Sequence, residues 1–309
     1  METSVSVKLK KVLDDAQWTQ EQLARQLDVP FKTINQWVNE KAEPRSKNLE
    51  AINELYLDIV GRTGIDTAFL TAKKEQALSM KMTVKEILSN EQLLDKITLY
   101  LTYHTNTIEG STMALSDVKE VLEDDNKVLT NKTAKEQIEA RNHRTALFYL
   151  MDELNSQDKD FKWSKDIVLN AHLRLMNTLI SNAGHYRNHE VQIGGSNAKL
   201  APFSKIDSYM DELIADLNKP TGDFVGDIAQ LHARFERIHP FSDGNGRIGR
   251  LIMFIQALQF RLMPPLILKE RKRAYYRYLE VADFDGKYDL ITLFIAESIL
   301  TTSDLISDK

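Results

Sequence analysis

One short stretch of the chain, His239 to Arg250, concentrates residues that could carry out chemistry on a phosphate group. Its first residue, His239, has a side chain that can accept a proton near neutral pH. Asp243 offers a hard carboxylate oxygen, the ligand that Mg²⁺ prefers when it also binds phosphates. Arg247 and Arg250 lie one helical turn apart, and their planar guanidinium groups match phosphate oxygens. Together these residues indicate the transfer of a phosphorus-centred group.

Two helices are predicted to hold this stretch in place. Apolar residues repeat at helical spacing before it, at Ile228, Leu231, Phe235 and Ile238. Residues 251–255 after it are apolar on every side, which predicts a buried helix. Gly244 and Gly246 between them allow positive φ and close approach of the backbone. The loop amides and the N-terminus of the second helix therefore make a ready anion site.

The pattern His-Pro-Phe-x-Asp-Gly-Asn-Gly-Arg-x-x-Arg is the signature of the Fic family (filamentation induced by cAMP), which the chain resembles over residues 85–300. The resemblance implies a protein adenylyltransferase that uses ATP and Mg²⁺. His239 would deprotonate a Tyr, Thr or Ser hydroxyl of a target protein, or of the chain itself. That hydroxyl would attack the α-phosphate of ATP and expel pyrophosphate. Asp243 would hold Mg²⁺, and the triphosphate would be gripped by Gly244, Asn245, Gly246, Arg247 and Arg250.

A second segment, which begins with Gly184 and Arg187, is similar to the flap hairpin of the same family. Its strand would pair with the backbone of the target peptide, a mode of recognition that demands little of the target sequence. The nucleotide contacts that the resemblance implies here are Ile193, Gly194, Gly195 and Ser196. A simple hairpin turn explains the two glycines equally well.

A third segment, Tyr275-Tyr276 with Asp283, resembles the helix that walls the adenine pocket in this family. Many relatives have asparagine where Asp283 stands. That difference leaves open both the adenine contact at Asp283 and the preference for ATP over other nucleotides.

A fourth segment, Thr105 to Gly110, resembles the inhibitory signature of the family, Ser/Thr-x-x-x-Glu-Gly/Asn. If Glu109 reaches Arg250, its carboxylate occupies the guanidinium intended for the γ-phosphate. Transfer would then stall because the α-phosphate would be misaligned. Thr105, four residues earlier on the same helix face, is expected to support Glu109. Some relatives also use this glutamate to activate water and remove AMP, and the sequence leaves that second activity open.

The N-terminal segment has the pattern of a Cro/repressor-type helix-turn-helix. Thr19 is predicted to cap a helix with Gln22 at the capping-box position, and Asp28 stands in the turn where the family usually has glycine. The residues that would face a DNA major groove are Lys32, Thr33 and Gln36. Residues 1–60 hold eight basic and ten acidic side chains, and this net charge of −2 opposes strong binding to phosphates. A helical protein-interaction domain is the alternative.

Composition limits the remaining possibilities for the chemistry, the location and the fold of the chain. The 309 residues have a net charge of −5 and lack cysteine, which excludes disulfides, thiolate metal sites and cysteine nucleophiles. The longest apolar run, residues 251–260, is shorter than the roughly 18 residues that span a bilayer, and we expect a cytoplasmic protein without a membrane segment. The predicted fold is all-α: a helix-turn-helix domain (1–60), a linker or connecting helix (61–85) and a Fic-type helical domain (86–309) with a small β-hairpin flap.

Two other functions are compatible with these patterns. If the molecule that donates the transferred group were different or bound in another orientation, the reaction would be phosphoryl or phosphocholine transfer, as in distant relatives. The intact phosphate loop argues against this alternative. The chain could instead be a DNA-binding transcriptional regulator that senses nucleotide through its Fic domain. The sequence also leaves the oligomeric state open, although relatives with an inhibitory glutamate often form homodimers.

Overall fold

The computed structural model describes residues 4–63, 65–192 and 200–307; the side chains at 50, 57, 58, 61–63 and 283–285 lie outside this description. Almost all regular structure in the described residues is helical, which confirms the predicted all-α class. By its internal contacts the chain divides into two units, Met1–Leu70 and Thr71–Lys309.

The first unit is built from α1 (Val5–Ala16), α2 (Gln20–Gln26), α3 (Phe31–Val38) and α4 (Ser46–Thr63). The predicted capping box is confirmed: Thr19 Oγ1 accepts from the Gln22 backbone N–H at 3.2 Å, and Gln22 Oε1 accepts from the Thr19 backbone N–H at 2.8 Å. Leu23, Ile34 and Trp37 are buried in the core of this unit, as their spacing predicts.

The turn between α2 and α3 contains the residue that replaces the usual glycine. Asp28 adopts φ 51°, a left-handed conformation that aspartate tolerates better than most side chains because its carboxylate can bond locally. The helix-turn-helix geometry is therefore retained without the glycine. On α3, Lys32 is exposed, while Thr33 and Gln36 are half-buried.

The helices of the second part of the chain are α5 (Thr67–Ser79), α6 (Val84–Leu88), α7 (Glu91–Ile108), α8 (Leu115–Glu123), α9 (Ala134–Gln157), α10 (Lys165–Leu175), α11 (Ile206–Leu217), α12 (Phe224–Ile238), α13 (Asn245–Gln259), α14 (Lys272–Asp285) and α15 (Asp289–Ser307). The core surrounds α13, whose Leu251, Phe254 and Ile255 are fully buried. Helices α7, α9, α10 and α12 all contact α13. The apolar run after the signature loop is therefore the central helix of the unit, as predicted.

Helix α15 bears on the expectation that the chain has no membrane segment. It is long and apolar enough to cross a bilayer by length and composition. In the structure 56% of its most apolar window is buried inside the protein, and residues such as Ile295 and Ile299 are fully buried. This burial is typical of a core helix.

The predicted flap hairpin falls largely on residues 193–199, which lie outside the described residues. The described residues 190–192 before it are irregular. Within the described ranges, β-pairing is limited to an isolated antiparallel bridge between Lys81 and Leu262.

Candidate active site

The signature loop joins α12 to α13 and is closed by its own side chains. Helix α12 ends at Ile238, and the next residue, His239, adopts the left-handed conformation with φ 49° and ψ 59°. Asn245 then bonds both backbone groups of Phe241: its Oδ1 accepts from the N–H and its Nδ2 donates to the carbonyl, each at 2.8 Å. The Asn245 amide, expected to grip the triphosphate, is thus used to shape the loop. Its backbone N–H in the first turn of α13 belongs to the groups that have no partner within the helix.

Arg187 fixes the entrance of the loop. Its guanidinium is buried, and it donates to the carbonyls of His239 at 2.8 Å, Ala201 at 2.6 Å and His189 at 2.8 Å. Left-handed backbone at a non-glycine residue is costly, and it persists where the surroundings hold it. Arg187 supplies that restraint at His239. The sequence placed Arg187 only within the flap resemblance and did not reveal this contact.

His172 supports the middle of the loop from α10. Its ring stacks on Phe241 at a centroid distance of 3.6 Å, and its Nδ1 accepts from the Gly184 backbone N–H at 2.9 Å. The proton therefore resides on Nε2, which donates to the Asp243 carbonyl at 3.0 Å. Burial lowers the pKa of His172 to about 4, so the ring stays neutral at pH 7. No spacing in the sequence connects His172 to the loop.

The tautomer of His239 suits a general base. Its Nδ1 lies 3.2 Å from the Glu236 carbonyl, and because a carbonyl can only accept, Nδ1 carries the proton. Nε2 is left with a lone pair. Burial lowers the pKa of His239 below its ordinary 6.5, so the neutral, proton-accepting form predominates at pH 7.

Glu109 lies at the N-terminus of α13, where the sequence predicts an anion site. Its Oε1 accepts from Arg250 Nη2 at 2.5 Å. A Cβ atom on Gly246 would lie 2.4 Å from that same oxygen, so only glycine permits this approach. The Glu109 side chain is 32% exposed, whereas that of Arg250 is 2% exposed. A side-chain carboxylate from the end of α7 thus occupies the place where a phosphate oxygen would bind.

Arg250 is held on its inner side by α7 and α14. Its Nε donates to Thr105 Oγ1 and its Nη2 to the Thr105 carbonyl, each at 3.4 Å, while the Tyr275 ring lies 5.9 Å from the guanidinium carbon. Thr105 was expected to support Glu109. Its hydroxyl accepts from Arg250, the partner of Glu109, and its carbonyl accepts from the Glu109 backbone N–H at 3.4 Å.

A further carboxylate, Glu236, lies near the same guanidinium. Burial raises its pKa to about 7, although Arg250 acts to lower it and Glu109 to raise it further. Its Oε1 has no hydrogen-bond partner among the described residues and lies 2.5 Å from where a Gly249 Cβ would be. Glu236 therefore shares the surroundings of Arg250 without a hydrogen bond to it, a contact that the sequence did not suggest.

Asp243 is the residue of the loop whose side chain is suited to bind magnesium. Its side chain is 49% exposed, and its Oδ1 accepts from the Gly244 N–H at 2.6 Å and lies 3.4 Å from Arg247 Nη2. The described residues contain no group of three or more His, Cys, Asp or Glu side chains able to hold a metal by themselves. A single carboxylate beside a phosphate site fits Mg²⁺, which takes its other ligands from phosphates and water.

The two tyrosines of the third segment have different environments. Tyr275 is fully buried, and its hydroxyl lies 2.6 Å from His232 Nε2, so it supports Arg250 and α12 from within the core. Tyr276 is 39% exposed and is the one that a nucleotide could reach. The side chain of Asp283 lies outside the described residues, as do the flap residues Ile193, Gly194, Gly195 and Ser196.

Comparison with family models identifies two domains. Residues 162–257 match the Fic/DOC family, and residues 9–56 match a helix-turn-helix family. The first match includes the whole signature loop together with α10, α12 and almost all of α13. The second covers the segment in which the capping box and the turn were predicted.

Curated relatives match a large part of the chain. The chain is 31% identical over 210 residues to the protein adenylyltransferase Fic of Aedes aegypti and 30% identical over 189 residues to protein adenylyltransferase fic-1 of Caenorhabditis elegans. These alignments cover 66% and 59% of this chain, but only 40% and 36% of the relatives. The chain thus corresponds to less than half the length of the relatives that it matches.

Solved structures share the fold. Fic-1 from C. elegans superposes with a TM-score of 0.66 at 19% identity, covering 99% of this chain and 88% of that one. A Fic domain-containing signalling protein from Bacteroides thetaiotaomicron gives 0.62 at 23% identity, covering 77% and 95%. At these identities the likeness establishes the fold of the chain.

Proposed function

We propose that this chain, which carries a Fic/DOC domain behind a helix-turn-helix domain, transfers AMP from ATP to a hydroxyl of a protein side chain. The observation that carries the proposal is the loop between α12 and α13. There a neutral imidazole with a free Nε2 stands beside a glycine-lined helix N-terminus that bears two buried guanidinium groups. Relatives named protein adenylyltransferases support the same chemistry.

The residues divide the reaction between them. His239 Nε2 accepts the proton of a Tyr, Thr or Ser hydroxyl, whose oxygen forms a bond to the α-phosphorus as the bond to the pyrophosphate oxygen breaks. Arg247, Arg250 and the first-turn amides of α13 stabilise the negative charge on the phosphate oxygens. Asp243 would hold Mg²⁺, which supplies positive charge to the phosphates.

Autoinhibition by Glu109 is part of the proposal. The proposal is supported by the ion pair of Glu109 with Arg250 and by its position against Gly246 at the start of α13, where we expect phosphates to bind. ATP that binds while Glu109 remains there meets like charge at its phosphates and loses a guanidinium donor. A carboxylate in this place can also accept a proton from water, so release of AMP from modified protein belongs in the same assay.

The test compares ATP labelled on the α-phosphate with ATP labelled on the γ-phosphate, using the full chain and its Glu109→Gly variant with Mg²⁺. We expect protein to be labelled only from the α position, and labelling to be lost when EDTA removes the metal. Label from the γ position would show phosphoryl transfer instead. No protein label from either nucleotide, with or without cell lysate as target, would leave the nucleotide-sensing regulator as the better hypothesis.

DNA binding is a second candidate function, supported by the helix-turn-helix match and by the exposed position of Lys32 on α3. The groups that would reach the major groove are Lys32, Thr33 and Gln36. A gel-shift titration with the operator region of its own gene tests it, because binding through phosphates must weaken steeply as salt rises. Binding that is absent at low salt would favour a protein-interaction domain, in line with the acidic balance of residues 1–60.

A further inference from the structure

Each of the two signature arginines pairs with a glutamate, and the two glutamates have different settings. Glu109 follows the end of α7 and its side chain is 32% exposed. Glu139 lies inside α9, is 13% exposed, and accepts from Arg247 Nη1 at 2.9 Å through its Oε1. The sequence analysis assigned no role to Glu139, which lies 108 residues before its partner.

Each of the two amino groups of the Arg247 guanidinium contacts a carboxylate. Nη1 binds Glu139, and Nη2 lies 3.4 Å from Asp243 Oδ1, a longer contact to the exposed carboxylate of the loop. Exposure rises from Arg247 (4%) through Glu139 (13%) to Asp243 (49%). Nη2 therefore lies beside the more exposed carboxylate, Asp243, and Nη1 beside the more buried one, Glu139.

Glu139 does not occupy the phosphate site. Glu109 is the carboxylate that lies against Gly246 at the start of α13, whereas the contact of Glu139 with the loop is through Arg247. An arginine has five N–H donors, and the contacts with Glu139 and Asp243 use one N–H of each amino group, so the second N–H of each remains for phosphate oxygens. Removing the Glu139 carboxylate would leave the buried cation with the longer contact to Asp243 alone.

The same helix also fixes the segment that follows Glu109. Glu136, one turn before Glu139, accepts through Oε1 from the Thr112 backbone N–H at 2.6 Å and from Thr112 Oγ1 at 2.9 Å. Burial alone would raise the pKa of Glu136, but these bonds and those from Thr133 lower it to about 2, so it stays ionised. The first turn of α9 is thereby bound to Thr112, in the segment that follows α7, which helps to fix the position of Glu139.

We propose that Glu139 is a positioning residue that orients Arg247 toward the nucleotide phosphates. The inference rests on the proposed function for the identity of the nucleotide. The two glutamates would then have opposite effects on the nucleotide: Glu109 opposes the productive binding of ATP, and Glu139 supports it. If this buried ion pair only stabilised the fold, its loss would weaken the binding of ATP and of adenosine equally.

The test measures binding of ATP with Mg²⁺ and of adenosine by calorimetry, in a background that carries both Glu109→Gly and His239→Ala, so that the nucleotide binds without being consumed. Glu139→Gln keeps an oxygen that can accept from Arg247 but removes the charge that holds the guanidinium, and should weaken ATP binding roughly tenfold, the scale of one charge-assisted hydrogen bond between Arg247 and a phosphate, while adenosine binding stays within about twofold. Glu139→Asp keeps the charge on a shorter side chain, so its affinity for ATP should lie between that of Glu139→Gln and that of the chain with Glu139. Asp216→Asn, which breaks the ion pair of Asp216 with Arg234, is the control for loss of a surface bridge and should leave both ligands unchanged.

The outcomes separate the two claims. Unchanged or tighter ATP binding in Glu139→Gln, or an equal loss for ATP and adenosine, would overturn the positioning role. If Glu139→Gln fails to fold, the same comparison of ATP with adenosine in Glu139→Asp decides. Because binding is measured without turnover, a chain that binds ATP in this pattern yet never transfers AMP would contradict the proposed function and leave the role of Glu139 standing.

Discussion

Replacing Glu109 with glycine is expected to raise AMP transfer roughly 100-fold, the effect of restoring a charged donor to the reacting phosphates. The substitution removes the carboxylate that lies 2.5 Å from Arg250 Nη2 and against Gly246. Arg250 then has its outward donors free, while its contacts with Thr105 keep it in place. The measurement is the initial rate of labelling from α-labelled ATP with Mg²⁺.

A matched variant separates charge from bulk at this position. Glu109→Gln keeps the shape of the side chain but loses the negative charge, so it should raise the rate by less than glycine does. If Gln and Gly release activity equally, charge alone accounts for the inhibition. A rate in Glu109→Gly that equals the wild-type rate would refute inhibition by Glu109, whatever the reaction is.

Replacing His239 with alanine in the Glu109→Gly background lowers the transfer rate by roughly 100- to 10,000-fold, the contribution of a general base. The Nδ1 proton is committed to the Glu236 carbonyl, so Nε2 is the atom that takes the proton from the target hydroxyl. Nucleotide binding should remain within about threefold, because binding is assigned to α13 and its arginines. A rate that survives the substitution would remove His239 from the mechanism.

The pH dependence of the transfer rate gives an independent check on His239. Burial lowers its pKa below 6.5, so the neutral base is already the main form at pH 7. We expect the rate in Glu109→Gly to be flat from pH 7 upward and to decrease as the pH falls through the lowered pKa, where the imidazole takes up a proton. A rate that is already halved at pH 7.5 would place the pKa of the base above its ordinary value and contradict the role of burial.

Short-range features of this protein could be predicted well from its sequence. The Thr19–Gln22 capping box depends on residues three apart, and the loop from His239 to Arg250 depends on two glycines between apolar helical patterns. In each case the partners are close in the chain, so their types and spacing decide the local structure. The pairing of Glu109 with Arg250, 141 residues apart, was accessible only because a family resemblance connected two separate motifs.

Contacts between distant helices were decided by the tertiary structure alone. His172 under the loop, Arg187 on the His239 carbonyl and Glu139 on Arg247 come from three separate parts of the chain, and no local pattern marks them. Asn245 turned inward because the backbone groups of Phe241, buried by packing, needed partners. The residue types thus determined which chemistry this protein can carry out. Packing around α13 decided which of those residues reach the ligand and which hold the others in place, because an unpaired polar group is costly to bury and most buried polar groups therefore have a partner nearby.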